Sequence, residues 1–181
     1  MSHTDRFNPD LLARASNVKV FFLDVDGVLT DGSLFVGNDG ETFKRFHTLD
    51  GHGLKTLQAA GVHPVVITGR DSLALRKRLA ELGMHTAYYA VEDKRRVAES
   101  CLNDMGLAWS HAAAMGDDWP DLPMLLPAAL SMAPPQAHVD VLSRVHHVCS
   151  ANAGAGAVRE ACDLLLHAVG AYQHSLNNYL P

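Results

Sequence analysis

Residues 18–27 read VKVFFLDVDG, an apolar run that ends in two aspartates separated by a single valine. The run has little polar alternation, which is typical of a strand covered on both faces of a parallel sheet. A folded chain has reason to avoid two carboxylates in such a place, because charges near a core must be paired or must bind a cation. The stretch therefore predicts a central strand and a functional role for Asp24 and Asp26 at its end.

Short apolar runs alternate with helical patterns along the rest of the chain. Four more candidate strands lie at residues 63–68, 111–116, 128–133 and 144–149. Candidate helices, in which apolar residues have helical spacing and a glycine comes last, lie at 49–61, 72–83, 92–106 and 157–170. This alternation predicts an α/β protein with a doubly wound, mainly parallel sheet. Sites in such folds lie beyond the carboxyl ends of the strands.

One segment, SLFVGNDGETFKRFH at residues 33–47, interrupts the alternation. Two β-prone runs flank Asn38-Asp39-Gly40, a sequence that favours a tight turn, so the segment predicts a small β-hairpin inserted after the first strand. No repeat or linker divides the chain. We therefore expect a single domain over residues 1–181, with its core at about 18–170, tails at 1–17 and 171–181, and no room for a large cap domain.

Composition limits the classes of partner and compartment. The chain has 181 residues, is 48% hydrophobic and has a formal net charge of −5, which suits one globular domain and offers no general attraction for nucleic acid or an anionic membrane. Its three cysteines form no C-x-x-C pair, which argues against a disulfide framework. No window approaches 18 apolar residues, and residues 1–17 lack the apolar core of a signal peptide. We expect a cytoplasmic protein.

Polar residues collect where the predicted strands end, so they are expected at one edge of the sheet. Each has an ordinary structural explanation: Asp26-Gly27 is a common turn pair, Thr68-Gly69 suits a helix-capping loop, and Lys94 suits a solvated helix. Their joint placement favours a site instead. The candidates are Asp24, Asp26, Thr68, Gly69, Arg70, Lys94, Asp117 and Asp118.

Phosphoryl transfer through an aspartyl phosphate uses this combination of groups. A carboxylate nucleophile is repelled by phosphate, by about 4 kcal/mol per unit-charge pair at 4 Å and an effective dielectric of 20, so a cation must offset the repulsion. Mg²⁺ prefers oxygen ligands, and Asp24, the Asp26 carbonyl and Asp117 are its candidate ligands. Asp118 either binds the same ion directly or lies just outside its direct ligands. Asp26 is the candidate acid that protonates the leaving oxygen.

Two further groups suit the phosphate itself. Thr68, with the backbone N–H groups around Gly69, is a candidate ligand of the phosphoryl oxygens, and Lys94 supplies positive charge where the phosphoryl group becomes planar. Substrate-binding candidates are therefore Thr68, Gly69 and Lys94. Catalytic candidates are Asp24, Asp26, Thr68 and Lys94.

These residues form the motifs D-x-D-G-V-L-T-D-G, T-G-R, K and G-D-D-x-x-D, and together they resemble the haloacid dehalogenase-like (HAD-like) phosphohydrolases. The resemblance implies Asp24 as nucleophile, Asp26 as acid and base, Thr68 and Lys94 as phosphate ligands, and Asp117 with Asp118 as the acidic metal-site pair. It is closer to one branch, the 3-deoxy-D-manno-octulosonate 8-phosphate phosphatases. DGSLFVGNDGETFKRFHTLDGHGLK, TGRDSLALRKRLAELG and GAGAVREACDLLL are similar to that branch.

The branch resemblance implies a substrate, an assembly and a pathway. A keto acid sugar phosphate carries a carboxylate far from its phosphate, and Arg70 and Arg78 are the candidates to bind it; Arg78 is equally well explained as a solvated helix residue. His47 and His52 are weaker candidates for the pocket. The family forms tetramers through such hairpins, and a neighbouring chain helps to close each site. The implied product is the free sugar acid for lipopolysaccharide synthesis.

Two alternatives and three departures remain open. A nine-carbon sialic or nonulosonic acid 9-phosphate presents the same two anionic groups as the eight-carbon substrate. A noncatalytic phospho-receiver also uses acidic residues, Thr and Lys on a parallel sheet, but its acceptor aspartate ends a later strand, and here that strand ends in Thr68. The departures from the branch are Val91 where a glycine is common, Trp119 after the acidic pair, and Ala153 in place of the first glycine of the last motif.

Overall fold

The computed structural model describes residues 7–38 and 40–181. Every predicted helix and strand falls close to an element of the structure. The strands are β1 (Val20–Leu23), β2 (Phe35–Gly37), β3 (Gly40–Phe43), β4 (His63–Ile67), β5 (Ala87–Tyr88), β6 (Ala112–Met115), β7 (Leu130–Ala133) and β8 (His147–Val148). The helices are α1 (Pro9–Ala15), α2 (Thr48–Ala59), α3 (Leu73–Glu81), α4 (Lys94–Asp104), α5 (Leu122–Leu125), α6 (Val139–Leu142), α7 (Ala157–Ala168) and α8 (Tyr172–Asn177).

Six strands form one parallel sheet in the order β5-β4-β1-β6-β7-β8. The chain runs from β1 towards β4 and β5 on one side, then returns to β6 and continues to β7 and β8 on the other. This reversal beside β1 makes the sheet doubly wound, as predicted, and leaves a crevice at the carboxyl ends of β4, β1 and β6.

Both faces of the sheet are covered. Phe21 and Leu23 of β1 pack in a cluster with residues of α2, α3 and α7, whereas Val20 and Phe22 pack in a second cluster with residues of α4, α5 and α6. All four β1 side chains are fully buried. Because alternate strand residues point to opposite faces, this pattern explains why the strand sequence has no polar positions.

The predicted hairpin is confirmed as β2 and β3, which form a separate antiparallel pair with Phe35 opposite Phe43. The central residue of its expected turn, Asp39, lies outside the described residues. Within the described part of the chain, no other insertion covers the sheet edge, which agrees with the expectation that a large cap is lacking. Phe46 packs against the chain's own core, so the hairpin's free apolar side chains are the others, Leu34, Phe35, Val36 and Phe43.

The sequence missed several short elements. The two-residue strand β5 and the four-residue helices α5 and α6 are too short to show a period, and α1 and α8 lie in the expected tails. The glycine stops were correct, because Gly61, Gly83, Gly106 and Gly170 all follow their helices with positive φ. None of the helices in the described ranges is long and apolar enough to cross a membrane. Cys101, Cys149 and Cys162 are buried and free, as expected.

Candidate active site

Three neighbouring strands bring the predicted site residues to one edge of the sheet. Asp24 follows β1 and donates its backbone N–H to the Met115 carbonyl of β6 at 3.1 Å. Thr68 follows β4, and Asp117 follows β6 after one glycine. A pocket of about 560 Å³ opens between these ends. It is lined by Asp24, Asp26, Thr68, Gly69, Arg70, Val91, Glu92, Lys94, Asp117, Asp118, Pro120 and Asp121.

Three carboxylates converge at the base of this pocket. Ligand oxygens of Asp24, Asp117 and Asp121 all lie within 4.8 Å of one another. Mg²⁺–oxygen bonds of 2.0–2.1 Å place opposite ligands roughly 4.2 Å apart, so the three side chains are close to the spacing that such an ion requires. The donor set is all oxygen, which is what Mg²⁺ prefers. The residues present therefore fit a divalent cation.

The third carboxylate belongs to a residue that the sequence analysis did not select. Asp121 is buried, and its Oδ2 accepts the backbone N–H groups of Asp117 and Asp118 at 2.9 and 3.3 Å. Asp118 is exposed and is not one of the three converging residues, so its role as a direct metal ligand stays a prediction. The signal for Asp121 was present in the sequence as the last aspartate of G-D-D-x-x-D.

Two glycines make the close approach of these acids possible. Gly27 has φ +87°, and a Cβ at this position would overlap the Asp117 carboxylate. A Cβ at Gly116 would overlap the side chain of Asp121. Asp26-Gly27 is therefore a turn, as its composition suggests, but the turn also leaves room for the metal-site carboxylates.

Lys94 lies at the start of α4 with its ammonium in the pocket. Its side chain is 4% exposed, and Nζ lies 2.8 Å from Asp24 Oδ1 and also contacts Asp121 Oδ1. The solvated explanation for Lys94 is therefore wrong. Burial lowers the pKa of Lys94, but the charges of Asp121 and Asp24 outweigh burial and raise it overall, so the side chain remains cationic.

Burial and mutual repulsion make this cluster resist full ionisation. The pKa of Asp24 is raised to about 6, first by burial and then by Asp121, with Lys94 opposing. The pKa of Asp117 is raised to about 7 by burial, then by Asp121, Asp24 and Asp118. Groups of one sign that are held together in this way favour a bound counter-charge.

Thr68 and Arg70 lie on the opposite side of the pocket from the acids of β6. Thr68 is buried, and its Oγ1 accepts the backbone N–H of Arg70 at 3.3 Å. The Arg70 side chain is half-exposed; its Nε lies 3.7 Å from Asp26 Oδ2, and its Nη2 donates to Glu41 Oε2 at 3.1 Å. Arg70 thus lines the pocket, and its role in binding a substrate carboxylate stays a prediction.

Arg78 and the two histidines do not line this pocket. Arg78 lines a groove between α3 and the hairpin, pairs with Glu81 at 3.3 Å and lies against Gly51. His47 lies beside Asp50 (Nδ1 to Oδ2, 4.0 Å), and His52 packs against Tyr179 of the C-terminal tail. These histidines have structural surroundings within their own chain.

The three departures from the family pattern leave the catalytic groups in place. Trp119 Nε1 donates to His138 Nδ1 and Asp140 Oδ2 at 3.1 and 3.0 Å, so the indole turns towards α6. The position in the last motif that has no room for a Cβ is Gly154, where a Cβ would collide with the Thr30 backbone. The side chain of Ala153 is therefore tolerated. Next to Val91, Ala90 has φ 51°, a conformation that favours glycine.

A second group of potential metal ligands has a structural explanation. His147, Cys149 and Glu160 bring ligand atoms together. Glu160, however, accepts the N–H groups of Ser150 and Ala151, and its Oε1 lies 3.1 Å from His147 Nε2. Burial raises the pKa of Cys149 well above its ordinary value, which keeps the thiol protonated.

Known proteins of the same size and fold match almost the whole chain, although no protein-family model does. The 3-deoxy-D-manno-octulosonate 8-phosphate phosphatase of Escherichia coli K12 is 37% identical over 161 residues, which cover 89% of this chain and 86% of the relative. This chain belongs to the 3-deoxy-D-manno-octulosonate 8-phosphate phosphatase family. A HAD-superfamily hydrolase (subfamily III A) from Legionella pneumophila superimposes with a TM-score of 0.90 at 37% identity, covering 94% of each chain.

A ligand-bound family structure matches equally well. The phosphatase of Moraxella catarrhalis, in complex with magnesium ion, phosphate ion and a KDO molecule, has a TM-score of 0.92 at 31% identity, covering 96% of this chain and 99% of that one. Family membership confirms the predicted HAD-like fold and excludes the phospho-receiver alternative, because members of this family are phosphatases.

Proposed function

We propose that this protein hydrolyses 3-deoxy-D-manno-octulosonate 8-phosphate to the free sugar acid and phosphate, with Mg²⁺ as cofactor, and so supplies lipopolysaccharide precursor synthesis. The observation that carries the proposal is the convergence of Asp24, Thr68, Lys94 and the Asp117–Asp121 pair at one sheet edge in a chain of this family. The three free, buried cysteines suit a reducing cytoplasm. We also propose a single domain over residues 1–181, which is supported by the two apolar clusters that share one sheet.

We assign each group a step that its position in the pocket supports. Asp24 attacks phosphorus and forms an aspartyl phosphate, while Thr68 and Lys94 bind phosphoryl oxygens. Asp26 gives a proton to the departing sugar oxygen, then takes one from the water that hydrolyses the intermediate. Asp24, Asp117 and Asp121, with the Asp26 carbonyl and Asp118 as further candidates, would hold a magnesium ion, which would neutralise charge on the carboxylates and the phosphate. Arg70 is the candidate partner of the substrate carboxylate.

The substrate assignment is tested by comparing the turnover of two sugar acid phosphates. The eight-carbon 8-phosphate and a nine-carbon nonulosonic acid 9-phosphate are turned over side by side with Mg²⁺, and we expect the larger kcat/KM for the eight-carbon compound. A preference for the nine-carbon phosphate would move the chain to the alternative substrate class while leaving the phosphatase chemistry intact. Multiple turnovers of p-nitrophenyl phosphate provide the baseline for that chemistry.

Asp26→Asn tests the acid step. We expect kcat for the sugar acid phosphate to fall by roughly 10² to 10⁴, the usual contribution of a positioned acid or base. The loss should be smaller for p-nitrophenyl phosphate, because its leaving group needs no proton. Exposed Asp104, at the end of α4, gives the matched control Asp104→Asn, for which both rates should stay unchanged. Equal losses on the two substrates would count against Asp26 as the acid.

We further propose that the hairpin mediates a homotetramer in which a neighbouring chain helps to close each site. Leu34, Phe35, Val36 and Phe43 remain 46%, 36%, 69% and 53% exposed, and the Phe35 and Phe43 rings stack 4.2 Å apart. An isolated two-stranded ribbon with such a surface is marginal in water. Arg78, which lies in the groove beside the hairpin, retains its proposed carboxylate-binding role if it faces a neighbouring chain's pocket.

Phe35→Asp tests this assembly. A charge on the stacked aromatic pair should dissociate the oligomer and lower kcat/KM for the sugar acid phosphate at least about tenfold more than for p-nitrophenyl phosphate, because the smaller substrate needs no shared wall. Sedimentation and kinetics are measured together. Leu126→Asp, at a residue that is 58% exposed at the end of α5, is the matched control and should change neither property. A monomeric wild type, or a dissociated variant with unaltered preference, rules out the shared site.

A further inference from the structure

Two charged residues of the hairpin segment, Glu41 and Lys44, lie close to Asp26 in the candidate active site of their own chain. Lys44 Nζ contacts Asp26 Oδ1 and lies 3.1 Å from Glu41 Oε2, and the Lys44 side chain is only 1% exposed. A lysine ordinarily keeps its ammonium in water, so a lysine buried to this extent is held by its carboxylate partners. Lys44 therefore has a fixed position next to the proposed acid.

Glu41 fixes that position from the other side. Its Oε1 accepts the Ser72 hydroxyl at 2.6 Å, and its Oε2 accepts Arg70 Nη2 at 3.1 Å. Ser72 and Arg70 both belong to the loop after β4. The result is a continuous chain of contacts from Asp26 through Lys44 and Glu41 to this loop, and it ties the hairpin to the site.

The remaining contacts of Asp26 are longer. Thr30 Oγ1 lies 3.5 Å from Oδ1, and Arg70 Nε lies 3.7 Å from Oδ2. Lys44 is thus the close partner of Oδ1, and Oδ2 is the oxygen left to carry a proton. The proposed proton transfer requires this oxygen to meet the departing sugar oxygen at hydrogen-bond distance, and a carboxyl free to rotate would do so less often.

We propose that Lys44 is a positioning residue for proton transfer by Asp26. The inference rests on the proposed function, in which Asp26 is the acid. As the ester P–O bond breaks, the proton passes from Asp26 Oδ2 to the leaving oxygen, and the negative charge that remains on Asp26 forms beside the Lys44 ammonium. The water that later attacks the aspartyl phosphate returns a proton to Asp26. Lys44 itself touches neither substrate nor phosphorus.

The test compares substrates that differ in their need for a proton. Lys44→Met removes the ammonium and keeps an apolar stem; we expect kcat for the sugar acid phosphate to fall about 10- to 100-fold, part of the range for a positioned acid, with at most about a threefold loss for p-nitrophenyl phosphate. Lys44→Arg restores a cation and should recover most of the lost rate. Lys77→Met, at an exposed lysine of α3 that lines the groove with Lys44, is the matched control and should leave both rates unchanged.

A double variant shows whether Lys44 acts through Asp26. If it does, adding Lys44→Met to Asp26→Asn should lower the sugar acid phosphate rate no further than Asp26→Asn alone. Multiplying losses, or an equal loss of both substrates in Lys44→Met, would overturn the inference. Circular dichroism and sedimentation accompany each variant, and Lys44→Gln, which keeps a neutral donor, replaces Lys44→Met if that protein does not fold; its loss should show the same substrate split.

The same measurements distinguish a failure of the proposed function from a failure of the Lys44 inference. If Asp26→Asn itself shows no substrate split, the acid assignment falls whatever Lys44 does. If Asp26→Asn shows the split and neither neutral variant of Lys44 does, only the Lys44 inference falls.

Discussion

Asp24→Asn is expected to lower kcat by at least about 10⁴-fold for both the sugar acid phosphate and p-nitrophenyl phosphate, because losing a nucleophile removes the covalent route whatever the leaving group. The amide keeps the shape of the carboxylate and can still accept a hydrogen bond from Lys94. Asp24 is buried beside Asp121, and both effects raise its pKa. Removing its charge should therefore leave the metal-free fold as stable as before or more stable.

The readout combines kinetics with thermal unfolding. Asp71→Asn provides the matched control, because Asp71 is an exposed aspartate paired with Arg76 at 2.7 Å on the α3 side of the molecule. The control should retain wild-type rates and stability. A folded Asp24→Asn protein with substantial activity towards either substrate would remove Asp24 from the mechanism, whereas an unfolded one would contradict the stability argument.

The fold was predictable from the sequence because its signals are local. Phe21, Phe22 and Leu23 form an apolar run because both faces of β1 are covered, and the helix ends are marked by glycines that adopt positive φ. The edge strand β5 and helix α5 were not predicted, because segments of two to four residues are too short to show a hydrophobic periodicity. Strand order then placed Asp24, Thr68 and Asp117 together, since the carboxyl ends of parallel strands meet at one edge.

The parts of the site that the sequence did not reveal depend on contacts between distant segments. Asp121 was not selected, although its side chain returns towards Asp117 and Lys94 after the short turn at Trp119; the role of Asp118 stays a prediction. Lys44 carries no motif, and its contact with Asp26 spans 18 residues through a hairpin whose docking no local pattern specifies. Arg78 was selected because a guanidinium can bind a carboxylate; it lines the groove beside the hairpin, and its role in substrate binding stays a prediction.

Removal of divalent ions is expected to abolish turnover, and added Mg²⁺ should restore it. The carboxylates of Asp24, Asp117 and Asp121 lie within 4.8 Å of one another, so without a cation their charge opposes the approach of a phosphate dianion. We expect at least about a 10²-fold loss of rate in excess chelator, recovered by millimolar Mg²⁺. Unchanged rates in chelator would eliminate the metal from the reaction.

The same carboxylates predict how Mg²⁺ changes stability with pH. Their folded-state pKa values, about 6 for Asp24 and about 7 for Asp117, lie above the ordinary value of 3.8. A raised acid pKa means that the folded state binds protons more tightly than the unfolded state. The contribution of these groups to stability is therefore most favourable below about pH 4 and declines until pH exceeds the folded pKa values.

Mg²⁺ requires the ionised carboxylates and so competes with these protons. The rise in Tm on adding Mg²⁺ should therefore be larger at pH 8 than at pH 5, measured at one fixed ion concentration. Asp117→Asn should raise the Tm of the metal-free protein at pH 8, reduce its response to Mg²⁺ and lower its activity. Asp71→Asn serves again as the control that keeps the wild-type response. Equal Mg²⁺ shifts at the two pH values would contradict the assignment of Asp24 and Asp117 as ligands, since protonation of either carboxylate at pH 5 would then leave binding unaffected.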